Sequence, residues 1–302
     1  MTQGHAAAPE QVNRQLNPRM ARLHAGLRAR AKRAVRWDTP FPRFPSTIGL
    51  LKAYLRWSRT VKFDVDLRYS VPVEFLRRNR ARLGDNPRIL DAGCGPYGLA
   101  SVLKRECIGV DTVYPDEVVP WRTSPVLRVR ASVTALPFRD RSFAFVTSMD
   151  TIEHLSPSAR PAAIREIMRV SSGAVLLGVP YGPESETFNR SARAWELARG
   201  QDLDWRREHV ANGLPGPELD HLVIAAGAAR GTAEVRMKKH ENLRFLKLRW
   251  RIGLSLPQSH LAYGLMMASL YAIAKRFHIG ACYRKLYFVQ FSQMPGRSDG
   301  TR

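Results

Sequence analysis

Acidic residues are scarce in this sequence and cysteine is scarcer. Against 48 lysines and arginines stand 26 aspartates and glutamates, for a formal net charge of +22, and the 302 residues include three cysteines. Cys94, Cys107 and Cys282 show neither paired nor metal-like spacing, which argues against a disulfide framework and a structural zinc site, and no metal is expected. A reducing compartment is the simplest setting. No run reaches the roughly 18–20 apolar residues that span a bilayer; LAYGLMMASLYAIA at 261–274 is too short and meets Lys275 and Arg276. The N-terminus lacks an apolar signal-peptide core. It is Arg-rich and acid-poor, yet contains no serine before Ser46, which argues against a mitochondrial transit peptide. Repeats and low-complexity tracts are absent as well, and the chain is expected in the cytoplasm.

The charge is unevenly placed. About +10 falls in residues 1–60 and about +10 in 236–290, while the stretch between is close to neutral. Residues 1–16 read as a disordered tail. Asn17 and Pro18 then open a helix, with Met20, Leu23, Leu27, Ala31 and Ala34 on one face and Arg22, Lys32, Arg33 and Arg36 opposite. WDTPFPRFPS (37–46) breaks it, and a short helix over 47–58 completes a basic helical extension, residues 17–70. The main domain is expected over 71–294, with a basic, apolar insertion at about 240–280 and a tail at 295–302.

Within that domain, strands are predicted at 88–91, 107–111, 126–132, 142–150 and 174–180. Helices fall at 72–83, 99–105 and 157–170, an alternation that means an α/β domain with a largely parallel sheet. A helix at 215–228 and strands at 231–239 and 285–293 follow. The first strand runs into RILDAGCGPYGLA (88–100), a strand, a glycine turn and a helix start. Such a turn holds a nucleotide-like ligand. The G-x-G-x-x-G reading gives a dinucleotide, and the D-x-G-x-G reading a methyl donor, with Tyr97 where a third glycine is common. Asp91 would face a pyrophosphate poorly, but it suits the ammonium of S-adenosylmethionine. Asp111, at the end of the second strand, suits two ribose hydroxyls in either ligand.

Five segments in order, ILDAGCG (89–95), IGVD (108–111), ASVTALPFRDRSFAFV (131–146), TIEHL (151–155) and REIMRVSSGAVLLGVP (165–180), resemble class I S-adenosylmethionine-dependent methyltransferases, particularly the subgroup related to quinone and small-molecule methyltransferases. The resemblance covers about 71–230. It implies a Rossmann-like seven-stranded sheet in the order 3-2-1-4-5-7-6, last strand antiparallel, flanked by helices. S-adenosylmethionine is the implied cofactor. Asp91, Gly93 and Gly95 would contact its methionine end and Asp111 its ribose. Ser132 and Val133 would flank the adenine, Ser132 where the family often has Asp, and Asp150 would help close the pocket.

Two histidines are candidate bases. His154 follows the fourth strand and His209 lies in LDWRREHVANGLPGPEL; each has an ordinary alternative as a cap or loop residue. The function expected is methyl transfer to a small-molecule, glycan or lipid-linked acceptor, oxygen favoured. The basic flanks admit three readings: an anionic membrane surface at the cytoplasmic face, entered by Leu243, Leu246, Trp250 and Leu254; an RNA or DNA substrate; or a solvated face. An RNA methyltransferase and a non-catalytic cofactor-binding domain are the alternative functions.

Overall fold

The computed structural model describes residues 63–96, 98–103, 105–114, 126–231, 233–255, 266, 270, 274 and 278–292. The basic helix opened by Asn17, the aromatic connector Trp37, Phe41 and Phe44, and Tyr97 lie outside the described residues.

Helices α1 (Phe63–Arg78) and α2 (Arg80–Leu83) lead into β1 (Ile89–Ala92). Then come α3 (Gly98–Leu103), β2 (Cys107–Asp111), β3 (Val126–Arg130), β4 (Phe143–Met149) and a 3-10 turn, Ile152–His154. The second half holds α4 (Arg160–Val170), β5 (Ser171–Pro180), α5 (Pro183–Leu197), α6 (Asp204–Asn212), α7 (Pro217–Ala228), β6 (Ala233–Asn242), α8 (Leu243–Ser255) and β7 (Cys282–Phe291). The strands form one sheet in the order β3-β2-β1-β4-β5-β7-β6, with β7 antiparallel to both neighbours. This is the Rossmann-like order expected.

The central strands are apolar on both faces because helices cover both. Side chains alternate across the sheet, so Ile89, Phe145 and Leu176 join one core with Phe75, Leu76 and Leu99. Their neighbours Leu90, Val146 and Leu177 join the other with Ile164, Ile167, Met168 and Val223. The strand order reverses between β1 and β4, and in such sheets ligands sit beyond the carboxyl ends of the strands at that point.

Several boundaries differ from the sequence reading. The first helix begins at Phe63, not at Pro72, which lies inside it. A proline there removes a backbone hydrogen bond, but Val65, Leu67, Tyr69 and Phe75 are all buried, and that burial holds the helix together. The division at residue 70/71 therefore cuts through one helix. Helices α5 and α6 have no counterpart in the sequence reading, since α5 buries Ser185, Asn189 and Glu196 beside Phe188 and Ala192 and shows no clean apolar stripe. The insertion begins as α8, whose Leu243 and Leu246 are buried with Phe188, Ala192 and Tyr283, with Trp250 packed against them. Those three side chains are thus committed to the domain rather than offered to a lipid interface; Leu254's side chain lies outside the description. Among the described residues, no helix is long and apolar enough to cross a membrane.

Candidate active site

The glycine turn is built from its backbone outward. Gly93 and Cys94 both donate their amides to the Val110 carbonyl, at 2.7 and 3.0 Å, which ties the end of β1 to β2. Gly93 has φ +77°, and a Cβ there would stand 2.2 Å from the Thr151 side chain. Only glycine fits. Gly95 (φ +53°) differs, since a Cβ there meets nothing within 4 Å, so this backbone faces open space. Its amide donates to Asp111 Oδ2 at 2.8 Å, and Val113 donates to Oδ1 at 3.3 Å.

Asp91 is fully buried, and its Oδ2 accepts the Leu99 amide at 2.6 Å, joining the strand end to the first turn of α3. Oδ1 is shut away from solvent without a well-formed hydrogen bond, and the buried Tyr69 phenol beside the carboxylate is the donor nearest to completing it. Burial pushes the Asp91 carboxyl up to about 7, against the lowering effects of Leu99, Tyr69 and Arg68. A buried acceptor with a spare oxygen is costly unless a donor completes it, and a ligand ammonium is such a donor. Tyr69, missed in the sequence reading because it falls in the presumed extension, belongs to this corner.

Ser132 lies just beyond β3, its Oγ 2.7 Å from the Thr134 hydroxyl and accepting the Thr134 amide at 3.2 Å. Val133 packs into the main core; its side chain is structural. Asp150, at the end of β4, is engaged elsewhere. Arg284 grips it with Nε at 2.7 Å and Nη2 at 2.6 Å, and Arg68 Nε stands at 3.5 Å. Burial alone would raise this carboxyl, but Arg284 and Arg68 outweigh it and hold it down at about 2. Arg284 also pairs with the buried Glu241.

The two histidines meet. His154 Nε2 is 3.2 Å from His209 Nε2, with ring centroids 4.5 Å apart. Thr151, which opens the His154 turn, donates its hydroxyl to the Gly93 carbonyl at 3.2 Å, so the pair stands beside the glycine turn. His154 Nδ1 is 2.6 Å from Glu208 Oε2, and an ionised carboxylate only accepts, so Nδ1 carries the hydrogen and Nε2 a lone pair. Asn189 accepts from Arg206 Nη1 at 2.8 Å and from the Tyr283 hydroxyl at 3.0 Å through Oδ1. Its Nδ2 therefore faces His209 Nδ1, at 3.2 Å, and the neutral His209 ring keeps its hydrogen on Nε2. Burial, and then the neighbouring His154, lower His209 to about 3, so it is neutral at physiological pH. Beneath the pair lies Glu153, fully buried, with neither carboxyl oxygen hydrogen-bonded. Burial, reinforced by Asp150, raises its carboxyl well above the ordinary range.

A seven-stranded sheet in this order, a glycine turn at the switch point and a carboxylate at the end of each of β1 and β2 are the arrangement that the resemblance to class I S-adenosylmethionine-dependent methyltransferases implies. Residues 90–177 match the family model described as a methyltransferase domain, a match that agrees with S-adenosylmethionine as the cofactor of the glycine turn. No curated protein matches the sequence. Among solved structures, a SAM-dependent methyltransferase from Archaeoglobus fulgidus is similar at 15% identity over 82% of this chain and 100% of that one, with a TM-score of 0.44. The YcgJ protein from Bacillus subtilis shares 18% identity over 74% of this chain and 97% of its own, TM-score 0.38. The residues present suit the cofactor: the incompletely bonded carboxyl of Asp91, the open face at Gly95 and the carboxylate of Asp111.

Proposed function

We propose that the protein transfers the methyl group of S-adenosylmethionine to a hydroxyl oxygen of a small-molecule, glycan or lipid-linked acceptor, held at His154 and His209. The cofactor supplies a methyl group on a sulfonium; Asp91 would hold its ammonium, Asp111 its ribose hydroxyls, and Ser132 would offer a polar edge to the adenine. Alignment in such a displacement is worth up to about 7–11 kcal/mol, but a hydroxyl also needs a place for its proton. The observation that carries the reading is the His154–Glu208 contact of 2.6 Å on a turn bonded to the glycine turn.

Glu208 fixes the His154 tautomer, with the Nε2 lone pair facing His209 Nε2–H at 3.2 Å, and would stabilise the imidazolium formed once an acceptor hydroxyl replaces that contact. His209 offers the complementary group, an Nε2–H. A hydroxyl inserted between the rings would donate to His154 and accept from His209. An amine attacks through its own lone pair while keeping its hydrogens, so it needs a base before transfer less than a hydroxyl does. General-base assistance of this type contributes about 10²–10⁴ in rate. His154→Ala and Glu208→Gln, assayed for methyl transfer with S-adenosylhomocysteine binding as control, test the assignment: transfer should fall while binding stays.

The charge distribution supports an anionic membrane surface, at the cytoplasmic face, as the place where the acceptor is met. The basic flanks would supply about 1 kcal/mol per nearby Lys or Arg. Co-sedimentation with anionic vesicles and with RNA, over a salt series, separates this from a nucleic-acid substrate.

A further inference from the structure

Three acid–base groups here come from two separate parts of the chain: Glu153 and His154 on the 3-10 turn and His209 on α6. Each offers one ligand atom, and these atoms lie within 4.8 Å of one another. We infer that Glu153, His154 and His209 form a binding site for one divalent transition-metal cation.

Two ligands about 2.1 Å from one ion, at 90–110°, stand roughly 3.0–3.4 Å apart. The two Nε2 atoms are 3.2 Å apart, and His209 Nε2 is 3.7 Å from Glu153 Oε1. Small rotamer adjustments close the set. Glu153 is the independent sign of a ligand, because both its oxygens are sealed from solvent and neither has a hydrogen bond. A carboxyl buried without a hydrogen-bond partner is costly in either protonation state, and a cation that displaces its proton to solvent would complete it. His154 already has the outer partner that metal-bound imidazoles use, a carboxylate on the other ring nitrogen. Two imidazoles and one carboxylate favour Mn²⁺, Fe²⁺, Co²⁺ or Zn²⁺ over Mg²⁺.

His209 pays for the binding. To ligate through Nε2 it must move its hydrogen to Nδ1, where the Asn189 amide now points a donor. Asn189→Asp would accept that hydrogen and still accept from Arg206 and Tyr283. With the cation bound, His154 Nε2 is a ligand and no longer the base; the cation would instead fix the acceptor oxygen and lower its pKa so that the proton leaves to water, a role that rests on the hydroxyl acceptor of the reading above. The binding itself does not.

The test is a Co²⁺ titration of the full chain, followed by visible absorption and competed with Zn²⁺, with S-adenosylhomocysteine calorimetry on every sample to verify the fold. Saturable one-to-one binding is expected, weakened at least tenfold in Glu153→Gln and in His154→Ala and tightened roughly tenfold in Asn189→Asp. Should Glu153→Gln lose cofactor binding too, His209→Asn takes its place. Absence of saturable binding, or equal affinity in Glu153→Gln, overturns the site. Unchanged affinity in Asn189→Asp overturns His209 as a ligand through Nε2. Cobalt binding without label reaching oxygen supports the site and removes the hydroxyl reading; label on oxygen without cobalt binding does the reverse.

Discussion

Asp91→Asn separates what the cofactor corner gives to stability from what it gives to binding. Burial holds the Asp91 carboxyl at about 7 against an ordinary 3.8. At about 1.4 kcal/mol per pKa unit, ionising it without cofactor costs on the order of 4 kcal/mol. Because the folded value is raised, the stability contributed by the protonated form is complete below pH 3.8 and is lost as pH rises through 7. Asparagine cannot ionise, yet it keeps an oxygen for the Leu99 amide. The variant should therefore gain stability over the parent as pH rises, approaching about 4 kcal/mol near pH 8. S-adenosylhomocysteine, which carries the same ammonium, should bind the variant about 10–100-fold more weakly through loss of a charged hydrogen bond of roughly 1.5–3 kcal/mol. In the parent its affinity should rise with pH and level off above 7. Urea unfolding at pH 5 and pH 8, with calorimetry at both, reads these quantities. A stability difference that does not change with pH, or undiminished affinity, would refute the reasoning.

Further outcomes follow from the same geometry. Gly93→Ala should unfold or lose cofactor binding, since its Cβ would meet Thr151 at 2.2 Å at a positive φ. Gly95→Ala, with nothing near the new methyl, should cost only about 1–2 kcal/mol of stability but weaken S-adenosylhomocysteine, a contrast that thermal shift and calorimetry together resolve. Arg284→Met takes the shortest partner from both the Asp150 and Glu241 carboxylates, leaving them Arg68 and Arg249 at 3.5 and 3.3 Å, and should destabilise by up to about 3–5 kcal/mol; the variant Tm at pH 7 measures it. Since Asp150 is held at about 2 in the fold, the stability it contributes is present above pH 4 and lost as pH falls toward 2, a loss that Asp150→Asn should reduce.

Much of this fold is legible because period and punctuation agree. β1, β2, β4 and β5 are short apolar runs, and α4 repeats Ala163, Ile164, Ile167 and Met168 at helical spacing. Asp91 and Asp111 are legible as strand-end carboxylates. What escapes is tertiary. Pro72 reads as a helix start until the burial of Leu67 and Tyr69 is known. Helix α5 hides because its inner face is made of Ser185, Asn189 and Glu196. Leu243 and Leu246 read as lipid-facing until Phe188 and Tyr283 are seen to cover them. His154 and His209, individually ambiguous, become one site only when α6 folds back over the 3-10 turn across 55 residues. Glu153 is legible only as a member of the TIEHL segment, for its distinction lies in being buried and unpartnered.

The destination of the methyl group tests the account most directly. Purified protein, methyl-labelled S-adenosylmethionine and fractionated cell extract should put label on oxygen in a small-molecule, glycan or lipid fraction, at a rate that falls about 100-fold or more in His154→Ala. Label in RNA or on nitrogen, or transfer that is indifferent to His154, would contradict it.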